Sequence, residues 1–129
     1  MARIMIVDDE PDVLRMLAAM LKTTGHDIVP VLGGVTAKAR LESESEPFDV
    51  LVTDLHMNPV NGLQLLRLVH ERHPETVVVM LTAYGKPETA IEAMSLGAFD
   101  YLSKPCRMDK LLGVVHAALE SRHMMLCAS

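Results

Sequence analysis

The chain has few aromatic residues and few cysteines. Its 129 residues include no tryptophan, and aromatic residues make up 3% of the composition. Because hydrophobic residues still make up 50%, we expect an aliphatic core in which the 10 methionines fill gaps. A charged fraction of 22% with this apolar content excludes an intrinsically disordered chain. The length corresponds to one domain of ordinary size.

Several other features are missing as well. The two cysteines, Cys106 and Cys127, form no C-x-x-C motif and are too few for a disulfide scaffold, so we interpret them as reduced thiols. The N-terminus lacks the features of a signal peptide, and no apolar run approaches the ~18 residues of a membrane span. A net charge of −5 argues against a nucleic-acid surface. We therefore predict a cytoplasmic protein that contacts neither a membrane nor nucleic acid directly.

Short aliphatic runs alternate five times with segments of helical period. The first, third and fourth runs are almost wholly apolar, which is typical of strands covered by helices on both faces. This order predicts an α/β fold with a doubly wound parallel sheet. We expect one domain over residues 1–123, followed by a C-terminal tail or linker stub over 124–129. The strands are predicted at 3–7, 27–31, 49–53, 76–81 and 99–102, and the helices at 11–24, 35–45, 62–72, 87–96 and 108–123.

Polar side chains follow four of the predicted strands at the point where each strand ends. Parallel strands of an open sheet share one carboxyl edge, so residues distant in sequence converge there. Carboxylates suit Mg²⁺, which takes one or two of them together with water and phosphate oxygens. The residues concerned are Asp8 and Asp9 after the first strand, Asp54 after the third, Thr82 with Ala83 after the fourth, and Lys104 with Pro105 after the fifth.

Each of these signals also has an ordinary structural explanation. Asp8 or Asp9 would serve as a cap for the first helix, and Asp54 as a turn residue. A lysine near carboxylates is commonly a surface ion pair of small energetic weight. The bond between Lys104 and Pro105 is of the kind that adopts the cis form in tight turns. The coincidence of all four signals at one sheet edge favours a shared site for a divalent cation and a phosphoryl group.

The segments that carry these signals also carry a family resemblance. IMIVDDEPDVLRML, DVLVTDLHM, VVVMLTAYG and GAFDYLSKP resemble the receiver (phosphoacceptor) domain of bacterial two-component response regulators, from Ile4 to about Arg122. The resemblance implies a flavodoxin-like (βα)5 fold, a three-layer sandwich with strand order 2-1-3-4-5. The segment KPETAIEAMSLGAFDYLSKP is most similar to receivers of enhancer-binding activators.

The same resemblance implies a role for each residue at the sheet edge. Asp54 matches the aspartate that accepts a phosphoryl group from a histidine kinase, and Mg²⁺ is the implied cofactor. The resemblance implies that Asp9, Asp54 and the backbone carbonyl of His56 are metal ligands and that Asp8 holds a metal-bound water. It also implies that Lys104 pairs with a phosphoryl oxygen and that Thr82 and Tyr101 form the switch pair. From the residues themselves, the small Ala83 would leave room for an incoming phosphoryl group, and Pro105 would fix the backbone beside Lys104.

These roles imply a phosphorylation-dependent signalling switch rather than an enzyme. Asp54 would act as a nucleophile toward phosphorus, while Mg²⁺ and Lys104 neutralise charge on the phosphoryl oxygens. The product adds roughly −1.5 to −2 charges, which would draw Thr82 and Lys104 inward. The fourth helix, fifth strand and fifth helix would then contact an effector domain or protein, or a second copy in a homodimer formed on phosphorylation.

The loop after Asp54 departs from the family pattern. The family has proline four positions after the phosphoacceptor, whereas here Asn58 holds that place and Pro59 follows, which predicts a changed loop shape. The bulky His56 and Tyr84 each lie two residues beyond a site residue. The resemblance implies that these places border the path of attacking water, so the bulk of the two side chains predicts slow dephosphorylation. The alternative is that both are ordinary exposed loop residues.

Two other classes of function remain open on the sequence. A metal-dependent phosphatase of the haloacid dehalogenase type also uses an aspartate after a strand, but it needs a second aspartate at the place of His56. A flavodoxin-like cofactor binder would need a hydroxyl- or glycine-rich phosphate loop after the first strand. This chain has DDEPD there.

Overall fold

The computed structural model describes residues 1–43, 45–83 and 86–127, in which five strands alternate with five helices. The order of elements predicted from the sequence is confirmed, and every strand end lies within one residue of its predicted position. The strands are β1 (Arg3–Asp8), β2 (Asp27–Leu32), β3 (Val50–Asp54), β4 (Val77–Thr82) and β5 (Asp100–Ser103). The helices are α1 (Pro11–Lys22), α2 (Gly34–Ser43), α3 (Gly62–Arg72), α4 (Pro87–Ser95) and α5 (Met108–Cys127).

The strands form one parallel sheet with the order β2-β1-β3-β4-β5. This confirms the predicted flavodoxin-like topology. β2 forms one edge of the sheet and contains the exposed Pro30, and an edge strand is where a residue without an N–H group is tolerated. The order places β1, β3 and β4 in the interior of the sheet, and the site residues follow these strands and β5.

Alternating residues of the strands pack into two separate apolar layers, one on each face of the sheet. In β1, Ile4 and Ile6 pack with α1 and α5 on one face, which we call the first apolar layer. Met5 and Val7 point to the opposite face and pack with α2, α3 and α4 in the second apolar layer. Successive side chains of a strand point to opposite faces, so a strand of continuous apolar sequence is buried on both sides. The result is the predicted three-layer sandwich.

The prediction that the methionines fill the core is wrong for most of them. Met5, Met57 and Met80 are buried, and Met20 is partly buried against the first apolar layer. Methionine is also a good helix former, so composition does not place it inside. The exposed methionines are Met1, Met16, Met94, Met108, Met124 and Met125.

The last helix extends four residues beyond the predicted end at 123. Arg122 fixes it to the amino edge of the sheet, because its Nη1 lies 2.7 Å from Asp49 Oδ1 and its Nε donates to the Glu75 carbonyl at 3.1 Å. The residues that follow Arg122 include good helix formers and no helix breaker as far as Cys127, which explains the extension. Within the described residues, no helix combines the length and apolar character that a membrane span requires.

Cys106 occupies a half-buried position at the edge of the first apolar layer. Burial raises the pKa of its thiol above the ordinary value. A raised pKa leaves less of the nucleophilic thiolate at neutral pH, which fits a packing role for Cys106 and not a reactive one.

Candidate functional site

The register of the sheet brings two of the predicted carboxylates together. Val7 of β1 pairs with Thr53 of β3. Extending this register by one residue places Asp8 beside Asp54 at the carboxyl edge. Both strands are central in the sheet, so these carboxylates are buried although each ends a strand: Asp8 is fully buried and Asp54 is 6% exposed.

β4 and β5 supply the other side of the site. Thr82 pairs with Ser103, and the backbone N–H of Lys104 donates to the Thr82 carbonyl at 2.8 Å. This backbone contact holds the start of the β5–α5 loop against β4. It directs Lys104 across the sheet edge toward β1 and β3, where its ammonium contacts two carboxylates.

Lys104 and three aspartates form the centre of the site. Oxygens of Asp8, Asp9 and Asp54 all lie within 4.8 Å of one another. Lys104 Nζ lies 2.6 Å from Asp8 Oδ2 and 3.3 Å from Asp54 Oδ2, and the lysine side chain is only 14% exposed. Asp9 is exposed and faces solvent at the rim. Three carboxylates against one ammonium leave the cluster with excess negative charge.

The first helix does not use these aspartates as side-chain caps. The residue that precedes α1 is Glu10, and within the described residues no side chain caps this helix. Asp8 Oδ1 instead accepts a hydrogen bond from the Glu10 backbone N–H at 2.9 Å. Asp8 therefore shapes the turn that follows β1 and keeps its second oxygen for Lys104.

Burial and charge together shift the pKa of two groups in the site. Burial raises the pKa of Asp54 above its ordinary value of 3.8, and the neighbouring Asp8 charge raises it further, while Lys104 opposes the shift. Burial alone would lower the pKa of Lys104, but its hydrogen bond to Asp8 and the charge of Asp54 raise it above 10.5. Lys104 is therefore charged at neutral pH, whereas the charged form of Asp54 is disfavoured, and a further cation nearby would stabilise it.

The donor set of this cluster fits Mg²⁺. A hard divalent cation takes carboxylate and carbonyl oxygens, and a cluster of three carboxylates with one ammonium lacks positive charge. The His56 backbone lies next to this cluster, since its N–H approaches Asp54 Oδ1 at 3.4 Å. Within the described residues, these three aspartates form the one group of potential ligands that converges in this way.

Two glycines let the loop after β3 pack closely. A Cβ on Gly62 would lie 2.5 Å from the Asp54 carbonyl oxygen, and one on Gly34 would lie 2.0 Å from the Val60 carbonyl oxygen. The Gly62 N–H also donates to the Leu55 carbonyl at 3.0 Å. No local sequence signal marks Gly34, because its contact joins α2 to a loop that is distant in sequence.

Two X-Pro bonds near the site are cis. One joins Lys104 to Pro105, as considered from the sequence, and the other joins Asn58 to Pro59, where the chain departs from the family pattern. Pro105 thus follows the lysine of the site directly. Pro59 lies in the exposed part of the loop that follows Asp54.

The predicted switch residues lie at different distances from the carboxylates. Thr82 is fully buried at the end of β4, and Ala83 after it is exposed. Tyr101 lies outside the carboxylate cluster and packs against the second apolar layer. Its hydroxyl is buried and has no hydrogen-bond partner among the described residues. Tyr84 lies outside the described residues.

An open cleft of about 380 Å³ lies at the rim of the site, beside Asp9. Its lining also includes His56 and Met57 of the loop after β3 and Thr89 of α4. The cleft gives a group from solvent a way to the rim of the site, next to the exposed Asp9.

Comparison with known sequences identifies the family. Residues 4–116 match the response regulator receiver domain family. The chain belongs to this family. Receiver domains are phosphorylation-dependent switches, and the comparisons give no support to a haloacid dehalogenase-type phosphatase.

The receiver resembles one part of several larger regulators. It is 40% identical over 119 residues to the response regulator protein PilR of Pseudomonas aeruginosa and 38% identical over 122 residues to the regulatory protein AtoC of Escherichia coli. These alignments cover 92% and 95% of the chain but 26% of each relative. The chain therefore spans about a quarter of the length of these relatives. Its similarity to enhancer-binding regulators, predicted from the sequence, is confirmed.

Solved structures show the same architecture. A receiver domain protein from Clostridium thermocellum superposes with a TM-score of 0.90 at 27% identity, covering 97% of this receiver and 99% of that chain. The beryllofluoride-activated NtrC4 receiver domain dimer has a TM-score of 0.85 at 28% identity, covering 95% and 99%.

Proposed function

We propose that Asp54 is the phosphoacceptor of this receiver and that a histidine kinase is the phosphoryl donor. The observation that carries the proposal is the position of Asp54 between Asp8 and Lys104, at the end of a central strand. Asp54 is 6% exposed, and the open cleft beside it is lined by Asp9 and by Leu55 and His56, which follow Asp54 directly. A donor group approaches Asp54 from this cleft while most bulk water is excluded.

The proposed transfer is a substitution at phosphorus. A carboxylate oxygen of Asp54 attacks the phosphorus of a phosphohistidine, the new P–O bond forms as the P–N bond breaks, and the electron pair returns to the imidazole nitrogen. Lys104 binds a phosphoryl oxygen and offsets its charge. Asp8, Asp9, Asp54 and the His56 carbonyl are the residues that would hold Mg²⁺, which supplies further positive charge to the phosphoryl oxygens.

Phosphorylation would change the balance of charge at this edge of the sheet. The added phosphate accepts hydrogen bonds from the Thr82 hydroxyl and the Lys104 ammonium, next to the small Ala83. Lys104 then exchanges part of its contact with Asp8 for the phosphate, and Pro105 transmits the shift to the loop before α5. Tyr101, whose hydroxyl is buried without a hydrogen-bond partner among the described residues, reorients in response to this shift. His56 slows the return by shielding the phosphate from water.

The output surface is the face formed by α4, β5 and α5. Ile91 and Met94 of α4 are exposed large hydrophobic residues on this side of the domain. We infer that this face binds a downstream effector domain or protein, or a second phosphorylated copy. In this proposal residues 1–123 form the receiver and 124–129 a tail or linker stub. The domain acts in the cytoplasm as a phosphoacceptor that assists its own phosphorylation and dephosphorylation, not as an enzyme acting on other substrates.

A mass measurement tests the phosphoacceptor. The protein is incubated with acetyl phosphate and Mg²⁺, and its intact mass is compared with that of Asp54→Ala and of Asp12→Ala, a control at an exposed aspartate of α1. We expect one phosphoryl adduct on the wild type and on Asp12→Ala and none on Asp54→Ala. An adduct that persists on Asp54→Ala, or a wild type that binds Mg²⁺ but gains no mass, contradicts the proposal.

A further inference from the structure

Thr53, which directly precedes Asp54 in β3, carries a buried hydroxyl in an apolar environment. The residue is fully buried, and its partners in the sheet are Val7 of β1 and Met80 of β4. Both partners belong to the second apolar layer. Valine has nearly the shape of threonine and would fill this place without burying a polar group, so packing alone does not explain the hydroxyl.

This hydroxyl donates to the backbone of the proposed phosphoacceptor. Thr53 Oγ1 lies 3.0 Å from the Asp54 carbonyl oxygen. The start of α3 lies against the same oxygen, because a Cβ on Gly62 would approach it to 2.5 Å. The next carbonyl along the chain, that of Leu55, accepts a hydrogen bond from the Gly62 N–H at 3.0 Å. Two successive carbonyls of this loop are therefore held in place.

The third carbonyl in this row is that of His56, which the proposed function assigns to Mg²⁺. The His56 N–H approaches Asp54 Oδ1 at 3.4 Å, so the same backbone also contacts the acceptor carboxylate. Peptide units are planar and leave two soft dihedral angles per residue, so fixing the carbonyls of Asp54 and Leu55 restricts the direction of the His56 carbonyl. A ligand that is already oriented loses less entropy when the metal binds.

We propose that Thr53 is a positioning residue for the metal site. Its hydroxyl fixes the Asp54 carbonyl, and through it the loop backbone that presents the His56 carbonyl to Mg²⁺. The inference rests on the proposed function, because it takes His56 as a supplier of a metal ligand. It predicts that loss of the hydroxyl weakens Mg²⁺ binding, although Thr53 is not itself a ligand.

Calorimetric titration with Mg²⁺ tests this role without a phosphoryl donor. Thr53→Val removes the hydroxyl and keeps the shape, so we expect the dissociation constant for Mg²⁺ to rise about threefold or more, the effect of one lost hydrogen bond. Thr53→Ser keeps the hydroxyl and should bind Mg²⁺ within about twofold of the wild type, although the missing methyl group makes it less stable. A role in packing alone predicts the opposite order, because only the serine leaves a cavity.

A second buried threonine provides the matched control. Thr76 is 7% exposed, and its Oγ1 donates to the Phe48 carbonyl at 2.6 Å. It directly precedes β4, at the opposite edge of the sheet from Asp54. Thr76→Val therefore loses the same kind of hydrogen bond away from the site, and its affinity for Mg²⁺ should equal that of the wild type.

Circular dichroism checks that each variant is folded. Thr53→Ala and Thr53→Ser differ only by the hydroxyl, so this pair decides the question if Thr53→Val does not fold. The proposal is overturned if Thr53→Val binds Mg²⁺ as the wild type does, if Thr53→Ser or Thr76→Val is weakened as much as Thr53→Val, or if Thr53→Ala and Thr53→Ser bind equally.

The wild type separates this inference from the proposed function. A wild type that binds no Mg²⁺ contradicts the proposed metal site, and the role of Thr53 with it. A wild type that binds Mg²⁺ and is phosphorylated on Asp54, together with an unchanged Thr53→Val, contradicts only the role of Thr53.

Discussion

Lys104 Nζ lies 2.6 Å from the carboxylate of Asp8, although the two residues are 96 positions apart in the chain. The same ammonium reaches Asp54 at 3.3 Å. One lysine thus neutralises part of the charge that strands β1 and β3 bring together. The remaining negative charge explains both the raised pKa of Asp54 and the suitability of the site for a divalent cation.

Replacement of this lysine should make the fold dependent on Mg²⁺. Lys104→Met leaves the buried Asp8 without its cation, and breaking a buried ion pair costs about 3 kcal/mol. We expect Lys104→Met to have a lower melting temperature than the wild type without Mg²⁺. Mg²⁺ should raise its melting temperature at least about twice as much as it raises that of the wild type. Thermal circular dichroism measures both, with the exposed Lys38→Met as control. Equal Mg²⁺-induced rises in Lys104→Met and wild type would show that the lysine and the metal do not share these carboxylates.

Neutralising the acceptor should stabilise the metal-free protein. The pKa of Asp54 is higher in the folded than in the unfolded state, so ionised Asp54 lowers the free energy of unfolding. Asp54→Asn removes this penalty, and we expect its melting temperature at neutral pH, without Mg²⁺, to exceed that of the wild type by a few degrees. Thermal circular dichroism is the measurement, and Asp12→Asn is the exposed control.

The sign of the pH dependence follows from the same shift. The advantage of Asp54→Asn should be complete above the folded-state pKa of Asp54 and should shrink as the pH falls toward the ordinary value of 3.8, because the wild type then becomes protonated in both states. Mg²⁺ should reduce or reverse the stability advantage of Asp54→Asn, since this substitution removes a charged metal ligand. An advantage that grows as the pH falls would mean that the pKa is lowered, not raised.

The positions of the site residues followed from the sequence because strand ends are strongly marked. Continuous apolar runs end at Asp54 and just before Asp8, and parallel pairing brings such ends to one edge. Which carboxylate binds Lys104 could not be predicted. That choice depends on the loop before α5, which the Lys104 backbone fixes by its hydrogen bond to Thr82.

Features that depend on contacts between distant residues were missed. The contact of Arg122 with Asp49, which joins α5 to the amino edge of the sheet, is one example, because the two residues are distant in the chain and no local signal marks the pair. The exposure of most methionines was also missed, because the number of methionines in a sequence does not say which of them lie in the core. Gly34 was missed for a similar reason, since its contact with Val60 arises only when α2 packs on the loop.

Two glycines, one crowded and one in open space, test how closely the loop after β3 packs against the backbone of Asp54. Gly62→Ala forces a Cβ to within 2.5 Å of the Asp54 carbonyl oxygen, whereas Gly113 on α5 has nothing within 4 Å of its Cβ position among the described residues. We expect Gly62→Ala to destabilise the fold by about 1–3 kcal/mol and to slow phosphorylation by acetyl phosphate. Gly113→Ala should stabilise by about 0.5–1 kcal/mol at an unchanged rate, because alanine is the better helix former. Denaturant unfolding and intact mass give the two readouts, and equal effects of the two substitutions would exclude a specific contact at Gly62.

A substitution at Tyr101 distinguishes a purely structural role of its buried hydroxyl from a role in switching. It has no hydrogen-bond partner among the described residues, and an unsatisfied buried polar group costs about 1–3 kcal/mol. Tyr101→Phe should therefore raise the free energy of unfolding of the unphosphorylated protein by about 1 kcal/mol, measured by denaturant unfolding. If Tyr101 relays the signal, its hydroxyl gains a partner in the activated state, so the same substitution should be neutral or destabilising when beryllofluoride occupies the site. An equal gain in both states would mean that the hydroxyl keeps its surroundings and that the signal reaches the α4, β5 and α5 face by another residue.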